Sequence, residues 1–212
     1  FIETSYQHPA LDHLWVSPLN TRSEIIRLID REIKYAKKGK KARIRIKLNN
    51  LVDEQIADKL YEASQAGVKI KLIVRGMCSL KPGIPGLSDN ISVTSIVDRF
   101  LEHTRLLIFD NNGDPEVFIS SADWMVRNLD NRVEVTAPIY DPGIKKLLIN
   151  IMDIHLADNQ KARIIDDKLD NSYVPRGNKR ALRSQEAIYK FLASEKERAL
   201  KGDKAASSPT RK

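Results

Sequence analysis

The sequence predicts an α/β fold, in which helices cover both faces of a mixed β-sheet. Residues 43–48, a helix candidate that begins at Asp53 and an apolar run at 68–74 follow one another in the order of a βαβ unit, which joins parallel strands through a right-handed crossover. Residues 106–109 and 116–121 flank the turn-forming string Asn-Asn-Gly-Asp-Pro and predict an antiparallel hairpin. The run at 106–109 is apolar throughout, which is typical of a strand covered on both faces.

The other elements follow from the spacing of their apolar residues. Asn20 or Thr21 can cap a helix that ends at Gly39, and apolar residues alternate with basic ones in 43–48, which predicts a strand with one apolar face. Pro142 lies in the first turn of a long helix, whose predicted inward residues are Ile144, Leu147, Leu148, Ile151 and Ile154. The remaining predicted strands are 14–16, 91–97, 132–136 and 162–165, and the last predicted helix is 181–200.

Length and composition indicate a single domain. A chain of 212 residues can bury a core of its own. We expect this domain to occupy residues 1–200 and residues 201–212 to form a disordered basic tail, because a segment with Ser207, Ser208 and Pro209 has no apolar surface to bury. The chain begins at Phe1 rather than Met, and we therefore expect it to be a fragment of a longer polypeptide.

The sequence also predicts a cytoplasmic location. Cys78 is the single cysteine, which excludes an internal disulfide and fits a reducing compartment. No apolar run approaches the roughly 20 residues that cross a bilayer, and no signal-peptide pattern opens the chain, so we expect no transmembrane segment. Peripheral contact of the charged amino-terminal part with the inner membrane stays open.

The charge of the chain favours an anionic partner. The formal net charge is +8, from 36 Lys and Arg against 28 Asp and Glu, which suits nucleic acid, an acidic membrane surface or a polyanionic substrate. Aromatic residues make up only 6% of the chain, and none alternate with the basic residues, which argues against a specific nucleic-acid platform. Residues 34–47 contain no acidic residue, and most of their lysines fit a solvated helix end.

His103 and Arg105 are the first candidates for a functional site. They lie two positions apart at the leading end of the strand at 106–109, so both side chains would project from the same face. If Asp110 pairs with Glu116, antiparallel counting puts Ser121 opposite Arg105, and Asp123 opposite His103. The hairpin would then gather a histidine, an arginine, a serine and a carboxylate.

This group of side chains suits phosphoryl chemistry. An imidazole can attack phosphorus or give a proton to a leaving oxygen, a guanidinium can hold phosphate oxygens, and a carboxylate can fix the imidazole tautomer. A structural interpretation stays open beside it: His103 can be a structural histidine at a strand end, and Asp123 can cap a helical turn that begins at Trp124. His8, His13 and His155 lack comparable neighbours and are predicted to be structural or surface residues.

Arg75 is a further candidate, because it follows a parallel strand, and open α/β sheets bind ligands at the carboxyl ends of such strands. An arginine that is merely exposed at the entrance of a loop would occupy the same position, and both interpretations stay open.

The candidate residues resemble a known superfamily motif. His103-x-Arg105-x4-Asp110 is similar to the His-x-Lys-x4-Asp motif of the phospholipase D superfamily, and Ser120-Ser121-Ala122-Asp123 stands where a Gly-Ser-x-Asn segment would follow. Arginine replaces lysine, aspartate replaces asparagine, and the spacing to the serines is longer. The resemblance implies a phospholipase D-like fold.

Longer strings resemble a narrower family. KLNNLVDEQIADKLYEASQAGVKIKLIVRGMCSLKPGIPGLSDNI, SIVDRFLEHTRLLIFDNNGDPEVFISSADWMVRNLDNRVEV and NSYVPRGNKR are similar to the last domain of bacterial type 1 polyphosphate kinases. The resemblance implies reversible transfer of the terminal phosphate of ATP to inorganic polyphosphate through a phosphohistidine, with Mg²⁺. It also implies that the phosphohistidine and the Mg²⁺-binding arginines belong to a preceding domain, so that this fragment holds no metal and is inactive alone.

By this resemblance, His103 matches a second active-site histidine, which acts as a proton donor or as a clamp on the phosphate, and Arg75 matches a residue of the ATP site. Charge and position suggest that polyphosphate contacts Arg105, Arg127 and Arg132. Orienting or structural roles fall to Asp110, Ser121 and Asp123. The implied partners are ATP or ADP, polyphosphate, the preceding domains and further copies of the full-length chain.

Two other functions stay open. One is a phospholipase D-type nuclease or phosphatidyltransferase that completes its site by dimerisation, since the chain has one copy of the motif. The other is a binding module for polyanions without chemistry, for which binding would depend on salt but not on His103.

Overall fold

The computed structural model describes residues 11–168 and 170–206. The strands are β1 Trp15–Ser17, β2 Arg43–Leu48, β3 Lys69–Val74, β4 Ile91–Ile96, β5 Arg105–Phe109, β6 Glu116–Ser120, β7 Glu134–Pro138 and β8 Ala162–Ile165. The helices are α1 Thr21–Lys37, α2 Glu54–Gln65, α3 Val126–Asp130, α4 Pro142–Leu156 and α5 Ser184–Ala206.

All eight strands belong to one mixed sheet, in the order β1-β7-β6-β5-β2-β3-β4-β8. β3 lies between β2 and β4 and is parallel to both, whereas the remaining neighbours are antiparallel. The predicted βαβ unit and the predicted hairpin are therefore both present, and the predicted mixed α/β fold is confirmed.

Helices cover both faces of this sheet, as the sequence predicts. Successive side chains of a strand point to opposite faces: Leu72 and Val74 of β3 pack in the cluster that contains the apolar residues of α1 and α2, whereas Ile73 packs in the cluster of α4. Asp53 caps α2 by accepting a hydrogen bond from the backbone N–H of Ile56 at 3.1 Å, the interaction that fixes the start of a helix.

β2 has the predicted apolar face, formed by Ile44, Ile46 and Leu48, but its opposite face is buried as well. Arg45 and Lys47 are each 3% exposed and face the α4 side of the sheet. Arg45 pairs with Asp153 of α4 at 2.7 Å, and Lys47 pairs with Glu102 at 2.9 Å. Burial of a charge requires such a partner, and both partners lie far from β2 in the sequence.

The inward face of α4 was predicted correctly only in part: Leu148 packs against the apolar cluster on this side of the sheet, as predicted, but the most deeply buried residues are others. Met152 and His155 are its buried residues, whereas Ile144 is 48% exposed. The sheet beneath α4 carries Lys47, with Glu102 beside it, so the helix turns a face that contains a polar imidazole towards them.

The start of β7 and the end of α5 also differ from the predicted boundaries. β7 begins at Glu134, which leaves Arg132 in the preceding turn, and α5 continues to Ala206. Residues 201–206, the first part of the predicted disordered tail, are thus helical, and residues 207–212 lie outside the described residues. Within the described part of the chain, no helix is both long and apolar enough to cross a membrane.

Candidate functional site

The candidate site lies at one edge of the sheet, where the carboxyl ends of β2 and β3 meet the start of β5. Asn49 follows β2 and Arg75 follows β3, while His103 precedes β5 and Arg105 begins it. β5 is antiparallel to β2, which brings its first residue beside the last residues of β2. Asp123 reaches the same edge from the turn after β6.

Arg105 and Asp123 form the buried base of this site. The Nε of Arg105 donates to Oδ1 of Asp123 at 3.2 Å and its Nη2 donates to Oδ2 at 3.1 Å; the two residues are 8% and 4% exposed. Burial raises the pKa of Asp123, but the hydrogen bonds from Arg105 and from the backbone N–H of Asn49 outweigh it and lower that pKa overall. Asp123 is therefore held as a carboxylate.

His103 is exposed and rests on Arg105. The Nη1 of Arg105 lies 3.1 Å from Nδ1 of His103 and 3.2 Å from the backbone oxygen of the same residue. Because a guanidinium has donors only, Nδ1 of His103 must accept in this contact. The proton of the neutral ring is then on Nε2, the atom on the far side of the ring from Arg105.

The hairpin register is one residue away from the predicted one. Glu116 lies opposite Phe109 rather than Asp110, so Ser120 lies opposite Arg105. Asp123 consequently contacts Arg105 and not His103. The physical reason lies in the turn, where Asp110 leaves the strand before a single 3-10 turn at Asn111–Gly113.

Ser121 and Asp110 do not reach His103. The Ser121 hydroxyl donates to Glu134 and accepts from the backbone N–H of Val135 at 3.0 Å. Asp110 lies at the other end of β5, where it pairs with Arg43 at 3.1 Å and with Lys41 at 3.4 Å. Both residues have structural contacts, and neither orients the imidazole directly.

Arg75 is held by an amide rather than by a carboxylate. Its Nε and Nη2 both donate to Oδ1 of Asn49, at 3.1 and 2.8 Å. Asn49 is 4% exposed, and its Nδ2 atom is buried without a hydrogen-bond partner among the described residues. The guanidinium thus keeps its full positive charge, and an unused amide donor lies beside it.

Sequence reasoning missed Asn49 and Asn50, although both follow a parallel strand as Arg75 does. Asn50 Nδ2 donates to Asp123 at 3.2 Å, and its Oδ1 accepts from the backbone N–H of Met77 at 2.9 Å. A Cβ atom at Gly76 would lie 2.6 Å from this Oδ1, so glycine is required for the close approach of the two strand ends.

Arg127 and Arg132 are exposed, on α3 and in the turn before β7. Within residues 11–168 and 170–206, no hydrogen bond or ion pair joins either of them to His103, Arg75 or Arg105. The structure therefore brings His103, Arg75, Arg105 and Asp123 together and leaves these two arginines outside the hydrogen-bonded group.

The group does not fit Mg²⁺. This ion prefers several oxygen ligands in octahedral geometry, whereas the site offers one carboxylate, Asp123, whose two oxygens already accept hydrogen bonds. Within the described residues, no three His, Cys, Asp or Glu side chains lie together as a metal site would require.

Comparison with known proteins identifies the family. The model for "Polyphosphate kinase C-terminal domain 2" matches residues 14–185. The polyphosphate kinase of Vibrio parahaemolyticus is 58% identical over 192 residues, which are 91% of this chain and 28% of the relative. That of Escherichia coli K12 is 52% identical over 194 residues, 92% of this chain and 28% of the relative. The chain thus spans little more than a quarter of the length of these relatives.

Solved structures agree. Polyphosphate kinase from Porphyromonas gingivalis superposes with a TM-score of 0.87 at 45% identity, over 90% of this chain and 30% of that one. Nuc from Salmonella typhimurium, a phospholipase D family member, superposes with a TM-score of 0.53 at 16% identity, over 73% of this chain and 97% of that one, and shows the shared fold alone. The chain belongs to the polyphosphate kinase C-terminal domain family and has a phospholipase D-like fold.

Proposed function

We propose that this chain forms one wall of the active site of a polyphosphate kinase, which transfers the terminal phosphate of ATP reversibly to polyphosphate. In this reaction the bond between the β-phosphate oxygen and the terminal phosphorus of ATP breaks, and a phosphorus–nitrogen bond forms to a histidine elsewhere in the full-length polypeptide. That bond then breaks as the phosphoryl group passes to the terminal oxygen of polyphosphate.

The observation that carries the proposal is the orientation of His103. The Nη1 of Arg105 lies 3.1 Å from Nδ1 of His103, and because a guanidinium only donates, we infer that Nδ1 accepts and that Nε2 carries the proton. A donor at this atom can hydrogen-bond a phosphate oxygen and offset the negative charge of the transferring group. His103 would therefore act as donor and clamp, while the phosphorylated histidine stands opposite.

Arg75 supplies the positive charge. Phosphoryl transfer passes through a loose transition state and depends mainly on positioning and on positive charge around the phosphate oxygens. Within the described residues, no carboxylate lies within ion-pair distance of Arg75, whose partner is the neutral Asn49. We assign Arg75 to ATP phosphate binding on this ground.

Arg105 fits a positioning role better than direct contact with polyphosphate. All three of its nitrogens are engaged, two with Asp123 and one with His103, and the residue is 8% exposed. Exposed Arg127 and Arg132 remain proposed polyphosphate contacts. Mg²⁺, which reduces the charge of the ATP phosphates, would be held by residues outside this chain.

The test is His103→Ala in the full-length protein, with incorporation of radiolabelled phosphate from ATP into polyphosphate as the measurement. We expect the rate to fall by about 10²- to 10³-fold, the usual cost of removing one hydrogen-bond donor to a developing negative charge. His13→Ala is the matched control, since His13 is also exposed and contacts Tyr140 at 3.0 Å; its rate should be unchanged.

Two results would contradict the proposal. Near-normal synthesis by His103→Ala would remove His103 from the reaction. Hydrolysis of a labelled phosphodiester by the chain would instead favour the phosphodiesterase alternative.

A further inference from the structure

The His103 segment, residues 97–104, connects β4 to β5 and contains no helix or strand. Its large apolar side chains do not anchor it, since Val97, Phe100 and Leu101 are 68%, 62% and 79% exposed. A connection of this kind is mobile unless other contacts hold it. The position of His103 therefore depends on the polar contacts of the segment.

Besides the contact of Arg105 with His103, three polar attachments hold the segment. Arg183 donates from Nε and Nη2 to the carboxylate of Asp98 at 2.8 and 2.7 Å. Gln185 bonds both backbone groups of Phe100: its Oε1 accepts from the N–H at 2.9 Å and its Nε2 donates to the oxygen at 2.8 Å. The third attachment is the 2.9 Å ion pair between Glu102 and Lys47 of β2.

Arg183 and Gln185 belong to a segment that is itself held by several hydrogen bonds. Asp158, 2% exposed, accepts from the backbone N–H of Ser184 at 2.6 Å and also from the N–H groups of residues 160–162. Asn159 is bonded to Leu182 in both directions, at 2.9 and 3.1 Å. The start of α5 is thereby fixed to the end of α4 and to β8.

These contacts differ from ordinary surface ion pairs. The Asp98 side chain is 2% exposed with Arg183 in place, and two hydrogen bonds from one guanidinium fix the carboxylate in both distance and direction. Gln185 is 9% exposed and holds the main chain itself, three residues before His103. A shift of the segment there would also move the His103 backbone oxygen from Arg105.

We propose that residues 183–185, here named the α5 clamp, position His103 for phosphoryl transfer. This inference rests on the proposed function of His103. Arg183 and Gln185 are positioning residues in it: Arg183 holds the side chain of Asp98 and Gln185 holds the main chain of Phe100, and together they keep the His103 ring on Arg105. A displacement of about 1 Å at a reacting group can cost about a hundredfold in rate.

The test uses Gln185→Met in the full-length protein, which keeps the length of the side chain and removes both hydrogen bonds to Phe100. We expect kcat for polyphosphate synthesis to fall by about ten- to a hundredfold, while KM for ATP changes less than about threefold, because Arg75 is untouched. Gln185→Glu keeps the acceptor for the Phe100 N–H and should recover part of kcat.

Arg198→Ala is the matched control. Arg198 lies on the same helix and pairs with Glu195 at 2.7 Å, but it is 77% exposed and contacts nothing in the His103 segment. Its kcat should be unchanged. Arg183→Lys, which keeps the charge and loses the two-point contact, replaces Gln185→Met as the test if circular dichroism shows that Gln185→Met does not fold.

The outcomes separate this inference from the proposed function. A folded Gln185→Met or Arg183→Lys with unchanged kcat, measured far below its unfolding temperature, overturns the clamp even when His103→Ala is inactive. A lowered melting temperature with normal kcat assigns the clamp to stability alone and also overturns it. If His103→Ala is itself active, the proposed function fails, whatever the clamp variants do.

Discussion

The two faces of the sheet are packed in different ways. The face under α1 and α2 has the larger apolar cluster, with fully buried residues such as Ile25, Leu28, Ile44, Ile56 and Leu60, although it also buries Glu32 of α1. The face under α4 has a smaller apolar cluster and buries charged or titratable groups, which are Arg45, Lys47, His155 and Asp158. Aliphatic contacts stabilise without fixing direction, whereas ion pairs and hydrogen bonds fix atoms at stated distances.

The two faces also differ in how they contact the candidate site. Three polar attachments of the His103 segment come from the α4 side, through Lys47, Arg183 and Gln185. The attachment of His103 itself comes from Arg105, which lies on the same face of β5 as Leu107 and Phe109 and therefore on the α1 side. Stability is therefore expected to depend mainly on the face with the larger apolar cluster, whereas polar contacts from both faces fix the geometry of the site.

The largest expected effect is a loss of stability on the face under α1 and α2. Leu28→Ala removes a side chain with 0% exposure and should lower the free energy of unfolding by about 3–4 kcal/mol, through lost transfer energy and a cavity. Leu148→Ala, at a half-buried position of the α4 face, should cost about 1 kcal/mol. Urea unfolding followed by circular dichroism measures both, and equal losses would show that the faces contribute alike.

The next effect concerns the face under α4 and is measured as the pH dependence of the free energy of unfolding. Burial lowers the pKa of His155 to about 4. The negative charges of Glu102 and Asp158 oppose this shift, whereas the positive charge of Lys47 adds to it. Because the unfolded state then binds the proton more tightly, stability is lost as pH falls from 6.5 towards 4. Between pH 7 and pH 5 the free energy of unfolding should fall by about 2 kcal/mol from this residue.

His155→Gln should flatten that pH dependence, with His13→Gln as the control that keeps it. The pKa of Asp158 is also shifted, downwards from 3.8, but its contribution is lost only below that value and does not enter this window. An unchanged slope in His155→Gln would mean that the histidine is not the group that titrates.

The smallest effect concerns the site. Asn49→Asp would give Arg75 a carboxylate partner and offset the positive charge that we assign to ATP binding, so the affinity for ATP should fall by about tenfold, or about 1.4 kcal/mol. Asn90→Asp is the control for net charge, because Asn90 precedes β4 at the opposite edge of the sheet. Isothermal titration calorimetry of the full-length protein with ATP measures these affinities. Equal affinities of both variants would contradict the role of Asn49.

Sequence periodicity sufficed for the elements but not for their orientation. The alternation in β2 identified a strand, yet it could not reveal that Arg45 and Lys47 meet carboxylates on other elements. α4 carries apolar residues on more than one face, so spacing alone could not select the buried one. The register of β5 and β6 depended on a turn with positive φ at Asn111 and Asn112, which composition does not specify.

The sequence predicted only those site residues that a motif or a strand position identifies. His103, Arg105, Asp123 and Arg75 follow from motif and strand position, whereas Asn49 gains its role only where the ends of β2 and β3 meet. Arg183 and Gln185 offered no signal, because each lies 85 positions from its partner in the His103 segment.

That separation has a consequence for synthesis of the chain. A ribosome that adds 5 to 20 residues per second needs roughly 4 to 17 s to pass from Asp98 to Arg183, which are 85 positions apart. During this interval β2, α2, β3 and the hairpin have emerged and can pack, but the His103 segment still lacks its clamp. The edge of the sheet that carries His103 is therefore expected to reach its final geometry only after the rest of the sheet has packed.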